Sequence, residues 1–153
     1  MKDTVVVDTS IAIKWVLYES DSPTAQALLA EWIDKGMEIL APALLAYEIT
    51  NSLYQKVRRG EITLESARIA ITKTLTTGLE FDFFQDETLS LRAIELAHRY
   101  SLPATYDSHY LALAELKDCP LWTADTRMWR AVKDQLDWVH WMGDYVISQD
   151  KEI

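Results

Sequence analysis

The chain is poor in cysteine, glycine, proline and basic residues, and it has no long apolar run. Its one cysteine, Cys119, cannot close an internal disulfide, and the scattered His98, His109 and His140 form no Cys/His ligand pattern, so no structural zinc is expected. No run approaches the roughly 18 to 20 apolar residues of a membrane span, and no basic region followed by an apolar signal core stands at the amino terminus. The expectation is a soluble, cytoplasmic protein without a membrane partner. Four glycines and four prolines among 153 residues, with 49% hydrophobic residues, fit one compact domain over 1–147 and a polar tail over 148–153. Only 15 basic residues face 24 acidic ones, and a net charge of −9 argues against gripping nucleic acid by bulk electrostatics. Surface carboxylates also promote solubility, so position rather than total must decide what the acids do.

What is present starts with residues 2–10, KDTVVVDTS. Three consecutive valines suit a strand buried on both faces, and Asp8 follows at its carboxyl end. In open α/β sheets ligands bind beyond the carboxyl ends of the strands, which makes Asp8 a candidate site residue; the plainer reading is that it caps the helix starting near Ser10. A short helix over 11–17 follows, then a second over 23–35 opened by Ser22-Pro23 and closed by Gly36. A strand over 38–41 precedes Pro42, read as the first residue of a third helix, whose Leu45, Ile49, Leu53 and Val57 recur every four residues until Arg58-Arg59-Gly60. Glu48 lies beside that apolar stripe, with Asn51 three residues further on.

Thr63 caps a fourth helix reaching Thr77, and Leu79, Phe81 and Phe83 alternate as in a strand. Asp86 or Thr88 opens a fifth helix to about Tyr100, and a sixth runs through Tyr110 to Leu116 with Asp107 in its first turn. A strand over 121–123 delivers Asp125 just as the first strand delivers Asp8; residues 126–135 read as helix and 138–141 as a last edge strand. Strands alternating with helices predict an α/β fold, a mostly parallel central sheet covered on both faces.

Four acids therefore stand out by position: Asp8, Glu48, Asp107 and Asp125. Brought together, such carboxylates raise one another's pKa, and the usual remedy is a divalent cation. Oxygen-only ligands select Mg²⁺ or Mn²⁺ over zinc, which suggests metal-assisted phosphodiester hydrolysis. Each acid also has a plainer reading, Asp107 and Asp125 as helix-start residues and Glu48 as a solvated helix acid. Arg127, two residues after Asp125, is placed either to reach a substrate phosphate or to pair with an acid. The tryptophans, Trp15, Trp32, Trp122 and Trp129 among them, read as core or dimer contacts rather than base-stacking platforms.

At these same residues the chain resembles the PIN domain family, specifically the VapC-type toxins of toxin–antitoxin pairs. The segments that carry the resemblance are VVVDTSI (5–11), YEITNSL (47–53), TYDSHYLALA (105–114) and TADTRM (123–128), in the family's order and across nearly all of the chain. Met128 stands where leucine or phenylalanine is commoner. The resemblance implies a PIN-like three-layer α/β/α sandwich, with Asp8, Glu48, Asp107 and Asp125 as catalytic, metal-binding acids and Asp8 and Asp107 as direct magnesium ligands. It implies that Thr9 or Ser10, Asn51 and Thr123 occupy supporting polar positions. It also implies a homodimer, ribonuclease activity leaving 5′-phosphate and 3′-hydroxyl ends, an RNA substrate and a cognate antitoxin that blocks the site. The dimer surface is expected on an exposed apolar face of the early helices, and a small basic group of Lys14, Arg127 and Arg130 is expected to guide the RNA backbone.

Three other readings compete. A signalling receiver domain also places an Asp beyond a parallel strand and binds Mg²⁺, but it adds an acidic pair near the amino terminus, where only Asp3 stands before Val5. A haloacid dehalogenase-type phosphatase wants a second Asp two residues after the first, and Ser10 is there instead. A catalytically inactive PIN scaffold serving as a protein-interaction module remains open, and RNA incubated with and without Mn²⁺ separates it from the enzyme.

Overall fold

The computed structural model describes residues 2–82 and 87–147. Phe83 as a strand residue, Asp86 as a helix opener and the polar tail 148–153 lie outside the described residues. Strand β1 (Thr4–Val7) leads through α1 (Thr9–Val16) and α2 (Ser22–Asp34) to β2 (Glu38–Pro42). Helices α3 (Leu44–Arg58) and α4 (Leu64–Thr76) precede β3 (Leu79–Asp82), and α5 (Glu87–Arg99) and α6 (Tyr106–Leu116) precede β4 (Leu121–Thr123). Helix α7 (Thr126–Val132) and β5 (Val139–Trp141) complete the order, followed by a single 3₁₀ turn, Met142–Asp144.

The five strands form one sheet in the order β3-β2-β1-β4-β5, with every pairing parallel. Val5, Val6 and Val7 are almost wholly buried, as a β-branched run in the middle of a sheet covered on both sides must be. The seven helices flank that sheet as in a PIN-like α/β fold: α1 to α4 pack against one another, α5 packs on α6, and α6 lies along β1, β2 and β4. Strand order runs outward through β2 and β3 on one side of β1 and through β4 and β5 on the other. The chain thus reverses direction across the sheet beside the carboxyl end of β1, where an α/β sheet opens its ligand crevice. Among the described residues no helix is long and apolar enough to cross a membrane.

Most boundaries fall within two residues of the sequence reading, and two of the differences are instructive. Pro42 ends β2 rather than starting α3, which begins at Leu44. The Ala43 N–H reaches Asp82 O on the β3 side, so the Pro42 nitrogen faces β1, whose pairing has already ended at Leu40, and its missing N–H costs no ladder bond. Helix α7 stops at Val132, short of Gln135, and passes into a turn in which the N–H groups of Gln135 and Leu136 share Val132 O.

Candidate active site

Asp8 sits between β1 and α1, and its backbone carbonyl accepts the first helical bonds from Ile11 and Ala12. Its carboxylate does not cap the helix. It accepts instead from Ser10 Oγ at Oδ1 (2.5 Å) and from Thr123 Oγ1 at Oδ2 (2.5 Å). Those two hydroxyls accept in turn from the next backbone donors after β4, Ala124 N–H onto Ser10 (2.8 Å) and Asp125 N–H onto Thr123 (2.9 Å). Ser10 and Thr123 thereby lock the carboxylate to two strands at once. Only 5% of Asp8 is exposed, and burial, with the charges of Asp107 and Asp125 against the opposing hydroxyl bonds, pushes its carboxyl up to about 7.

Glu48 reaches the same place from α3. Its Oε1 accepts from Tyr110 OH of α6 (2.5 Å) and from Thr9 Oγ1 (3.3 Å), which also lies 3.0 Å from the Tyr110 oxygen and shares its one proton between the two acceptors. Burial, then the charge of Glu48, holds the Tyr110 phenol far above its ordinary range, so it donates rather than ionises. Asp107, in the first turn of α6, is raised by burial and by Asp125 and Glu48, with Arg127 pulling the other way. Asp125 combines both of its readings: its Oδ1 accepts from Arg127 N–H (2.9 Å) and Met128 N–H (3.3 Å) as the cap of α7, and its carboxylate lines the site.

All four acids face one cavity of about 230 Å³, walled further by Thr9, Ser10, Ile13, Ser52 and Tyr110. Among the described residues no three acidic, histidine or cysteine side chains stand close enough to cage an ion by themselves. Mg²⁺ does not require that cage, since it keeps several waters and takes one or two carboxylates plus substrate phosphate. An all-carboxylate donor set around a buried acid, with Asp107 and Asp125 adding to the cost of ionising it, fits such an ion.

Other candidates fall elsewhere. Asn51 is exposed, accepting from Gln55 Nε2 (3.5 Å), and does not line the cup. At 3.6 residues per turn the third and fourth neighbours fall on opposite sides of the starting residue, and the cavity lies on the Ser52 side of Glu48. Tyr110, three residues after Asp107 on α6, lines the cup and was not singled out from the sequence. Lys14 is committed to Glu19 (2.5 Å) and Asp21 (3.0 Å) and does not join a basic group with Arg127 and Arg130, both exposed. The tryptophans read as core do pack: Trp15 meets Trp32 edge to face at 6.2 Å, and Trp32 meets Trp122 at 6.3 Å.

A family model described as PIN domain matches residues 5–134. Among solved structures the chain is similar to PAE2754 from Pyrobaculum aerophilum, with 20% identity, a TM-score of 0.66, and 94% of this chain and 93% of that one covered. It is similar to VapC20 of Mycobacterium tuberculosis, a Sarcin-Ricin loop cleaving toxin, with 19% identity, a TM-score of 0.61, and 84% and 95% covered. It is also similar to VapBC2 from Rickettsia felis, bound to a DNA fragment of its promoter, with 12% identity, a TM-score of 0.64, and 90% and 98% covered. These identities speak to the fold. No curated protein matches the chain in sequence.

Proposed function

The chain belongs to the PIN domain family, and from that membership and its own acidic cup we propose that it is a Mg²⁺- or Mn²⁺-dependent endoribonuclease, the toxin half of a type II toxin–antitoxin pair. The observation that carries the reading is the convergence of Asp8, Glu48, Asp107 and Asp125, remote in sequence, on one cavity at the switch point of the sheet. Asp8 and Asp107 would hold the cation directly, with Glu48 and Asp125 acting on it through water. The cation supplies charge stabilisation at the phosphate and a more acidic water. Ser10 and Thr123 keep both Asp8 oxygens in fixed directions, so the acid needs no rearrangement when substrate arrives. Thr9 and Tyr110 both bond Glu48 Oε1, leaving Oε2 to accept a proton from the attacking water. Water then adds to phosphorus opposite the 3′ oxygen, and as that P–O bond breaks the leaving oxygen takes a proton from solvent, giving 5′-phosphate and 3′-hydroxyl ends.

Three solved structures similar in fold are toxin–antitoxin complexes, which supports an antitoxin protein as partner. Exposed Tyr47 and Tyr54 on α3 and Leu64 and Leu75 on α4 support a protein-binding face there, for a second copy in a homodimer or for the antitoxin. Purified protein incubated with RNA and Mn²⁺ is expected to cut it, and EDTA to stop the cutting until Mn²⁺ is restored. RNA left whole at every metal concentration would favour the inactive scaffold instead.

A further inference from the structure

The acidic cup is the first of three hollows in a row. It shares Asp107 and Asp125 with a second of about 260 Å³ that holds Arg127, and that one shares Ser101 and Ala131 with an open third of about 580 Å³ that holds Arg99. Negative charge falls off along the row, from four carboxylates in the cup, through Asp107 and Asp125 beside Arg127 in the second hollow, to Arg99 with no acid in the third. Among the described residues neither arginine enters the kind of ion pair that occupies Lys14, Arg59 and Arg92. Ser101, where the second and third hollows meet, has φ 54, a conformation that favours glycine after a helix. A serine there keeps a hydroxyl on the path at a conformational cost, and hydroxyls are common donors to phosphate.

We propose that an unpaired RNA strand leaves the cup along this row, the phosphate next to the cut one lying against Arg127 and the following one against Ser101 and Arg99. The proposal rests on the nuclease reading of the cup. Asp8 is almost wholly buried at the floor of the cup, which a phosphate of an unpaired strand reaches more readily than one held in a paired helix. The path also answers the net charge of −9, because a few local cations rather than the whole surface meet the backbone.

The test is fluorescence anisotropy with a short end-labelled, unstructured RNA and Mg²⁺, using the full chain carrying Asp8→Asn so that binding is read without cutting. Arg99→Ala and Arg127→Ala on that background should each weaken binding roughly fivefold and lower the slope of log affinity against log salt by about 0.7. Ser101→Gly should weaken binding while raising the melting temperature, and the same sequence as a duplex should bind far less tightly. Melting curves of both arginine variants, altered only at the surface, report whether they fold. Binding and salt slope equal to the parent's in both arginine variants, or equal binding of the duplex, would overturn the path. Cutting by the wild-type chain separates the two ideas: a chain that cuts but binds independently of both arginines loses the path alone. One that binds through them but never cuts loses the nuclease.

Discussion

Asp8 is held by two hydroxyls and surrounded by three other acids, and those two facts pull its chemistry apart. The hydroxyls fix where the carboxylate points; burial and the neighbouring charges penalise its ionisation and raise its pKa to about 7 from an ordinary 3.8. A folded-state pKa above the unfolded one stabilises the fold fully below the unfolded value, and that contribution disappears as pH rises through about 7. Metal-free protein should therefore lose stability between about pH 4 and pH 7, by at most about 4 kcal/mol from this group. Asp8→Asn, which carries no charge, should abolish RNA cleavage and flatten that dependence in urea titrations at several pH values. An unchanged pH profile would show that the carboxylate is not strained by its neighbours.

The prominence of Asp8 was legible in the sequence because a carboxylate after a buried strand has few other places to go. Its partners were legible unevenly. Ser10 and Thr123 sit within two residues of a site acid and bond Asp8 directly. Tyr110 did not stand out, since a tyrosine in an apolar helix reads as core until its hydroxyl is seen to bond Glu48.

Strands β1 and β4 do for the site what neither does alone: Thr123 carries one hydroxyl that accepts from Asp125 N–H and donates to Asp8. Thr123→Val keeps the shape, removes both bonds and leaves a buried carboxylate oxygen unsatisfied. The expected loss is about 1–3 kcal/mol in denaturant titrations, together with weaker cleavage that Thr123→Ser restores; a valine variant as stable and active as its parent would contradict this tie. At β5 the Trp141 ring stacks on Trp129 at 4.9 Å, and a Cβ at Gly143 would meet that ring at 2.4 Å. Gly143→Ala should cost about 1–3 kcal/mol of overpacking, read as a lower melting temperature. Periodicity located nearly every helix and strand because burial dictates both. Pro42 was misread because a proline before a helix and one ending a strand look alike until pairing is known, and Asn51 was preferred to Ser52 because spacing alone cannot say which side of Glu48 meets the cavity.

At the scale of the whole molecule, the parallel sheet gathers acids separated by up to 117 positions, from Asp8 to Asp125, at one edge. That crowding is what sets these four apart from a scattering of surface acids, and it sets the most direct test of the proposed cation. The melting temperature at pH 8 is measured with rising Mn²⁺ for the wild-type chain and for Asp8→Asn and Asp107→Asn. A cation bound only by the folded cup stabilises by about 2.7 kcal/mol at a hundred times its dissociation constant, so the wild type should melt markedly higher with Mn²⁺ while both variants respond little. Equal responses in all three, or none in the wild type, would contradict a cation seated among these carboxylates.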